Sequence, residues 1–157
     1  MTEVLDKIRF QIDLHKYAIL LATLVGIILI APSIMAPRDL GERYQGVPFL
    51  YQDNEVYYAS RVKEVMDGYL SLNSPMLYEY KDDPAPLSPF GEYIYGLMSL
   101  VLGIDIVDVI VFSKFLFPFL LFLLIYLFSF NLLKENSSNS RLAAISVASL
   151  SVIGFDL

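Results

Sequence analysis

Long apolar runs alternate with polar segments along this 157-residue chain. The first run, YAILLATLVGIILIAPSIMA at residues 17–36, has no charged residue and matches the ~20 residues that a helix needs to cross a bilayer. The second run covers residues 109–133 and contains Pro118, which neighbouring helices can accommodate within a membrane. A third run begins at residue 142. The pattern predicts membrane-spanning helices rather than one soluble core.

The polar segment between the first two spans, residues 37–89, is rich in acids, tyrosine and proline. Proline recurs through its second half, so little regular structure is expected there. The exception is an amphipathic helix predicted over residues 55–67, which Gly68 would end at the C′ position. The apolar positions that recur at helical spacing are Tyr58, Ala59, Val62, Val65 and Met66.

Residues 90–108 are interpreted as an interfacial or re-entrant helix, because the apolar run within them is too short to span comfortably. Asp105 and Asp108 follow that run, and we expect them to mark an interface between helices. A short polar loop, KENSSNSR, occupies residues 134–141. Residues 142–157 would then be the start of a third span, which is cut off without a polar tail. The favoured interpretation is an N-terminal piece of a longer protein, and the alternative is a small complete protein.

Basic residues near the ends of the spans predict the orientation. Lys7, Arg9 and Lys16 lie within residues 1–16, and Lys134 and Arg141 lie within the loop that follows the second span. This density of cations places both segments in the cytoplasm, so the polar segment between the spans is extracytoplasmic. We expect an integral, multi-pass protein with a cytoplasmic N-terminus, in the plasma membrane of a prokaryote rather than in the endoplasmic reticulum.

A cleaved signal peptide is the alternative interpretation of the first apolar run. A signal peptide has a shorter apolar core of roughly 7–15 residues, and Pro37 directly after Ala36 suits a cleavage site poorly. An uncleaved signal-anchor is therefore favoured for residues 17–36.

The amino-acid composition further narrows the class of protein and the partners that it can bind. Hydrophobic residues make up 56% of the chain, above the level usual in soluble domains. The net charge of −6 argues against nucleic acid as a partner, since its binding requires many Lys and Arg side chains. The absence of cysteine excludes a disulfide framework and a thiolate metal site. The predicted fold class is all-α, with polytopic transmembrane helices and an extracytoplasmic loop that contains a short amphipathic helix.

The candidate chemistry lies at the start of that amphipathic helix. Asp53 and Glu55 are carboxylates placed just outside the first span. There a carboxylate can act as a general base, or can hold a divalent cation such as Mg²⁺ or Mn²⁺. A structural interpretation stays open beside this one, because Asp and Asn are preferred N-caps and acids are favoured in a helix's first turn.

The order of elements around these acids is one span, an acidic motif, a tyrosine-bearing helix with a basic residue, a glycine and a proline-rich stretch. This order resembles the N-terminal region of the GT-C superfamily of polytopic membrane glycosyltransferases. Members include dolichyl-phosphate-mannose protein mannosyltransferases, aminoarabinose transferases and oligosaccharyltransferase catalytic subunits. One departure is that Asn54 precedes Glu55 where mannosyltransferase-like members have Asp-Glu. The residues that carry the resemblance are Asp53, Asn54, Glu55, Tyr57, Tyr58, Arg61, Gly68, Pro75 and the stretch from Lys81 to Pro89.

The resemblance implies transfer of a sugar from a polyprenyl-phosphate donor to a glycan, lipid or protein acceptor outside the cytoplasm. Glu55 would then be the catalytic base or a metal ligand, with Asp53 assisting, and Tyr58, Arg61 and Lys81 would bind substrate. From position alone, Arg61 is a solvent- or headgroup-facing charge, since it lies roughly 240° around the helix from Glu55. The alternative function is a non-enzymatic membrane scaffold or transporter subunit with an acidic outer loop.

Overall fold

The computed structural model describes residues 2–45, 53–69, 72, 89–135 and 139–154. All regular structure within these residues is helical, which confirms the predicted all-α class. A short 3-10 turn, Gly41–Arg43, follows the first helix. The helices are α1 (Thr2–Leu40), α2 (Asp53–Met66), α3 (Phe90–Leu102), α4 (Ile106–Leu133) and α5 (Ser140–Ile153).

Two stretches are long and apolar enough to cross a membrane. They are Arg9–Arg43, with a mean hydropathy of 2.5, and Ile106–Leu133, with a mean hydropathy of 2.4. Only 28% of the apolar window is buried in each. The core helix of a soluble protein would instead be mostly buried, so this exposure favours a membrane protein. The described part of α5 has 14 residues, fewer than the ~20 that a span needs.

The chain divides into two compact units, the first formed by Met1–Ala31 with Lys114–Leu157 and the second by Pro32–Ser113. The core of the first unit joins α1, α4 and α5. Small side chains four residues apart on α1 and on α5 let these helices approach the aromatic side chains of α4 closely. The fully buried members are Ala18, Ala22, Phe122, Tyr126, Ala144 and Ala148.

The second unit is built where α2 packs against α3 and the first turns of α4. Val62 of α2 meets Ile106 and Ile110 of α4 in a buried apolar cluster. Ala59, Met66 and Tyr95 pack around that cluster. Gly96 of α3 faces α2, and a Cβ there would be in ordinary van der Waals contact with the side chain of Val65, at 3.4 Å. The predicted amphipathic helix therefore packs Ala59, Val62 and Met66 of its apolar positions within the protein, whereas Tyr58 is exposed.

Gly68 ends α2 as predicted. Its φ of 96° lies in the left-handed region, which favours glycine. The Gly68 amide donates to the carbonyl of Val65, and the Tyr69 amide donates to the carbonyl of Glu64, each at 3.0 Å. These two bonds form a Schellman motif that satisfies the last carbonyls of the helix.

The helix boundaries differ in detail from the predicted ones. α2 begins two residues before the predicted start at Glu55. The predicted segment 90–108 separates into α3 and the start of α4, with Gly103 (φ 66°) ending α3. The Asp105 carboxylate accepts a hydrogen bond from the Val107 amide at 2.9 Å, so Asp105 caps α4. Asp105 and Asp108 are exposed, so they do not lie at an interface between the helices that the structure describes.

Candidate functional site

The acidic motif occupies the first turn of α2. Asp53 is the first residue of this 14-residue helix, and Glu55 lies two positions later. Backbone N–H groups in a first helical turn have no partner within the helix, and the helix dipole favours negative charge there. A first helical turn is therefore a favourable position for an acidic residue. The side chains of residues 53–56 lie outside the described part of the structure.

Two turns further along α2, Arg61 forms a buried ion pair with Glu92 of α3. The Arg61 Nε donates to Glu92 Oε1 at 2.6 Å, and the two side chains are only 3% and 9% exposed. A charge-assisted hydrogen bond this short and this shielded is stronger than a surface ion pair. It ties the helix that carries the acidic motif to α3.

Tyr57 completes this cluster from one turn earlier on α2. The Arg61 guanidinium donates from Nη1 to the Tyr57 hydroxyl at 3.4 Å and lies 5.6 Å from the centre of the Tyr57 ring. Tyr57 in turn meets Tyr58 edge to face, with ring centres 5.5 Å apart. The guanidinium is therefore held by a carboxylate and an aromatic face together.

The electrostatics of Arg61 follow from these partners. Burial acts to lower the pKa of Arg61, because it disfavours the charged form. The hydrogen bond and negative charge of Glu92, with a contribution from Tyr57, act in the opposite direction, and the net pKa lies above the ordinary value for arginine. Arg61 is thus a permanent cation in its native environment.

The prediction of a solvent- or headgroup-facing Arg61 is wrong. Arg61 lies on the face of α2 that packs against α3, where it is 3% exposed and adjacent to buried Val62. Its partner was missed because Glu92 is 31 residues away in sequence. One signal was present: Glu92 is the sole acid in the apolar run FGEYIYGLMSLVLG, and such a residue requires a cationic partner when buried. A contact of Arg61 with the donor phosphate stays a prediction.

The structure describes only some of the other predicted site residues. Tyr58 is 53% exposed and open to a ligand. Lys81 lies outside the described residues. Among the side chains that the structure describes, no three His, Asp or Glu groups converge as a metal site would require. Asp53 and Glu55 are not in that set, so their predicted role as metal ligands stays a prediction.

Comparisons of the chain with protein-family models, curated proteins and solved structures produced no match.

Proposed function

We propose that this chain is the N-terminal part of a polytopic membrane glycosyltransferase, which transfers a sugar from a polyprenyl-phosphate donor to an acceptor outside the cytoplasm. The observation that carries the proposal is the position of the acidic motif. Asp53 and Glu55 open α2, which begins ten residues after the end of the candidate span Arg9–Arg43. The phosphate of a lipid-anchored donor lies at the membrane surface. A carboxylate that acts on this donor therefore has to lie beside that surface too.

The chemistry assigned to Glu55 is general-base catalysis. The acceptor hydroxyl or amide attacks the anomeric carbon while the bond to the lipid phosphate breaks, and the Glu55 carboxylate takes the acceptor proton. Asp53 assists, and both carboxylates could hold a Mg²⁺ or Mn²⁺ ion that offsets charge on the departing phosphate. Tyr58 and Lys81 are assigned to substrate binding.

The packing of α2 supports a catalytic use of its first turn. Catalysis requires the reacting groups to be held in place by rigid elements. α2 is fixed through the buried Arg61–Glu92 pair and through the apolar contacts of Val62, which lie within two turns of Glu55. Arg61 thereby positions the acidic motif.

The proposal includes the topology expected from the charges. The N-terminus and the loop after α4 are cytoplasmic, α2 is extracytoplasmic, and the protein is multi-pass in the plasma membrane of a prokaryote. The acceptor is a glycan, a lipid or a protein.

The substitution Glu55→Gln tests the proposal in the complete protein in membranes. Loss of the base should lower sugar transfer by roughly 10²–10⁴-fold, because that is the usual contribution of a general base. The assay follows transfer of radiolabelled sugar from synthetic polyprenyl-phosphate hexoses. Glu64→Gln, which makes the same change in the last turns of the same helix, is the matched control and should retain activity. Turnover by Glu55→Gln equal to the wild type would remove Glu55 from the mechanism and favour a scaffold or transporter role.

A further inference from the structure

A cavity of about 310 Å³ lies within the first unit, where α1, α4 and the start of α5 meet. This volume is at the lower end of the range for ligand sites, roughly 300–1,000 Å³. The polar residues of its lining are His15, Tyr126, Asn139 and Arg141. Ala18 and Ile145 are among its apolar lining residues. This mixture of polar and apolar lining residues suits a ligand that carries a small polar group on an apolar body.

Two of the polar lining residues are held in place by a contact between α1 and α4. The His15 Nδ1 lies 2.7 Å from the Tyr126 hydroxyl, a hydrogen-bonding distance between residues 111 positions apart. Tyr126 is 1% exposed, and the His15 ring also meets Phe130 edge to face with centres 5.2 Å apart. The imidazole is therefore oriented by its surroundings before any ligand arrives.

The charge of the cavity favours an anion. Arg141 is the one side chain among its lining residues with a permanent charge, and these lining residues include no carboxylate. A guanidinium can donate two parallel hydrogen bonds to a phosphate, and Asn139 also lines the cavity. A phosphate group suits this donor set better than a cation or an uncharged sugar would.

The rim of the cavity is apolar and open. Tyr17 and Leu142 both line the cavity, and each is 66% exposed. Tyr17 lies in the candidate span Arg9–Arg43, so this rim borders the surface that lipid chains would cover. The predicted orientation places it at the cytoplasmic side, where anionic lipids concentrate and basic pockets between helices bind their headgroups.

We propose that this cavity binds the phosphate of an anionic membrane lipid, with Arg141 and His15 at the headgroup and the acyl chains against the apolar rim. The site is independent of the acidic motif on α2 and does not depend on the proposed transferase activity. A lipid bound there would contact α1, α4 and α5 and so link the three helices of the first unit.

The test uses the full chain in detergent micelles, to which phosphatidylglycerol or phosphatidylcholine is added, with native mass spectrometry counting the retained lipids. Phosphatidylglycerol should be retained preferentially by the wild type. Arg141→Gln should weaken that retention about tenfold, since a charged hydrogen-bond donor is lost. Arg9→Gln removes an exposed arginine of α1 that does not line the cavity, and should leave retention within about twofold of the wild type.

Equal retention of the two lipids by the wild type would overturn the proposal. An equal effect of Arg141→Gln and Arg9→Gln would also overturn it. Inorganic phosphate is the third arm: if it binds at the same site while phosphatidylglycerol shows no advantage over it, the ligand is a free anion and the lipid assignment fails. Circular dichroism checks the fold. If Arg141→Gln is misfolded, Arg141→Lys keeps the charge and should weaken retention several-fold, because it loses the paired hydrogen bonds.

Discussion

The Arg61–Glu92 pair shows how a single charged side chain acquires its role from its partner. Isolated on α2, Arg61 would be a solvated cation. Packed against α3, it neutralises a carboxylate that is 9% exposed, and its guanidinium covers the ring of Tyr57. A buried pair of this kind contributes little compared with a well-packed apolar pair, but removing one partner leaves an uncompensated charge.

Arg61→Met should therefore lower the free energy of unfolding by about 3–5 kcal/mol. The double change Arg61→Met with Glu92→Leu should recover most of that loss, because no charge is then left buried. Lys63→Met breaks the pair of Lys63 with Asp67, whose side chains are 62% and 50% exposed, and should cost about 0.5 kcal/mol or less. Denaturant unfolding in micelles, followed by circular dichroism, measures all three. Similar losses for Arg61→Met and Lys63→Met would show that the buried pair has no special role.

Helix packing in the first unit depends on small residues at regular spacing. Ala18, Ala22 and Gly26 lie four residues apart along α1, and Ala18 and Ala22 are fully buried against α4 and α5. In a membrane the hydrophobic effect does little to drive helices together, so close van der Waals packing over small side chains replaces it. Gly26 is the tightest of these positions, because a Cβ there would lie 2.6 Å from the Phe115 ring and 2.9 Å from the Phe115 carbonyl oxygen.

Gly26→Ala should separate α1 from α4 and destabilise the chain by about 1–3 kcal/mol, the usual cost of overpacking. Its matched control is Gly91→Ala in α3, where a Cβ would meet nothing within 4 Å and the stability should be unchanged or slightly higher. Thermal unfolding of the two variants in micelles gives the comparison. An unchanged midpoint for Gly26→Ala would mean that the Phe115 side chain and backbone move aside without cost.

The proposed topology concerns the whole chain and governs every functional assignment on α2. A chain without cysteine is well suited to testing it, because each introduced thiol is unique. Exposed positions are available in the segments that matter: Ser60 in α2, Asp6 near the N-terminus and Glu135 after α4.

Ser60→Cys should react with a membrane-impermeant maleimide in intact cells, because α2 is proposed to be extracytoplasmic. Asp6→Cys and Glu135→Cys should react only after permeabilisation. Gel-shift labelling measures each variant, and a fully permeabilised sample controls for reactivity of the thiol itself. Protection of Ser60→Cys in intact cells would contradict an externally directed transferase.

The helical class, the two long apolar helices, the amphipathic α2 and its end at Gly68 could all be predicted from the order of residues. The apolar period of α2 and the preference of Gly68 for positive φ are local properties, carried by residues within one or two turns. The placement of Asp53 and Glu55 at the start of a helix could also be predicted from the local sequence. The cap formed by Asp105 was a local signal too, but it was interpreted as an interface between helices.

The tertiary structure alone decided three features. Arg61 faces α3, Gly26 lies close to Phe115, and a cavity forms beside His15 and Arg141. Arg61 and Glu92 are 31 residues apart, and His15 and Tyr126 are 111 apart, so no local pattern couples them. Helix periodicity defines which face of a helix is apolar, but not which helix will cover it. The burial of a charge depends on that covering helix, because only the partner's side chains exclude water and supply the opposite charge.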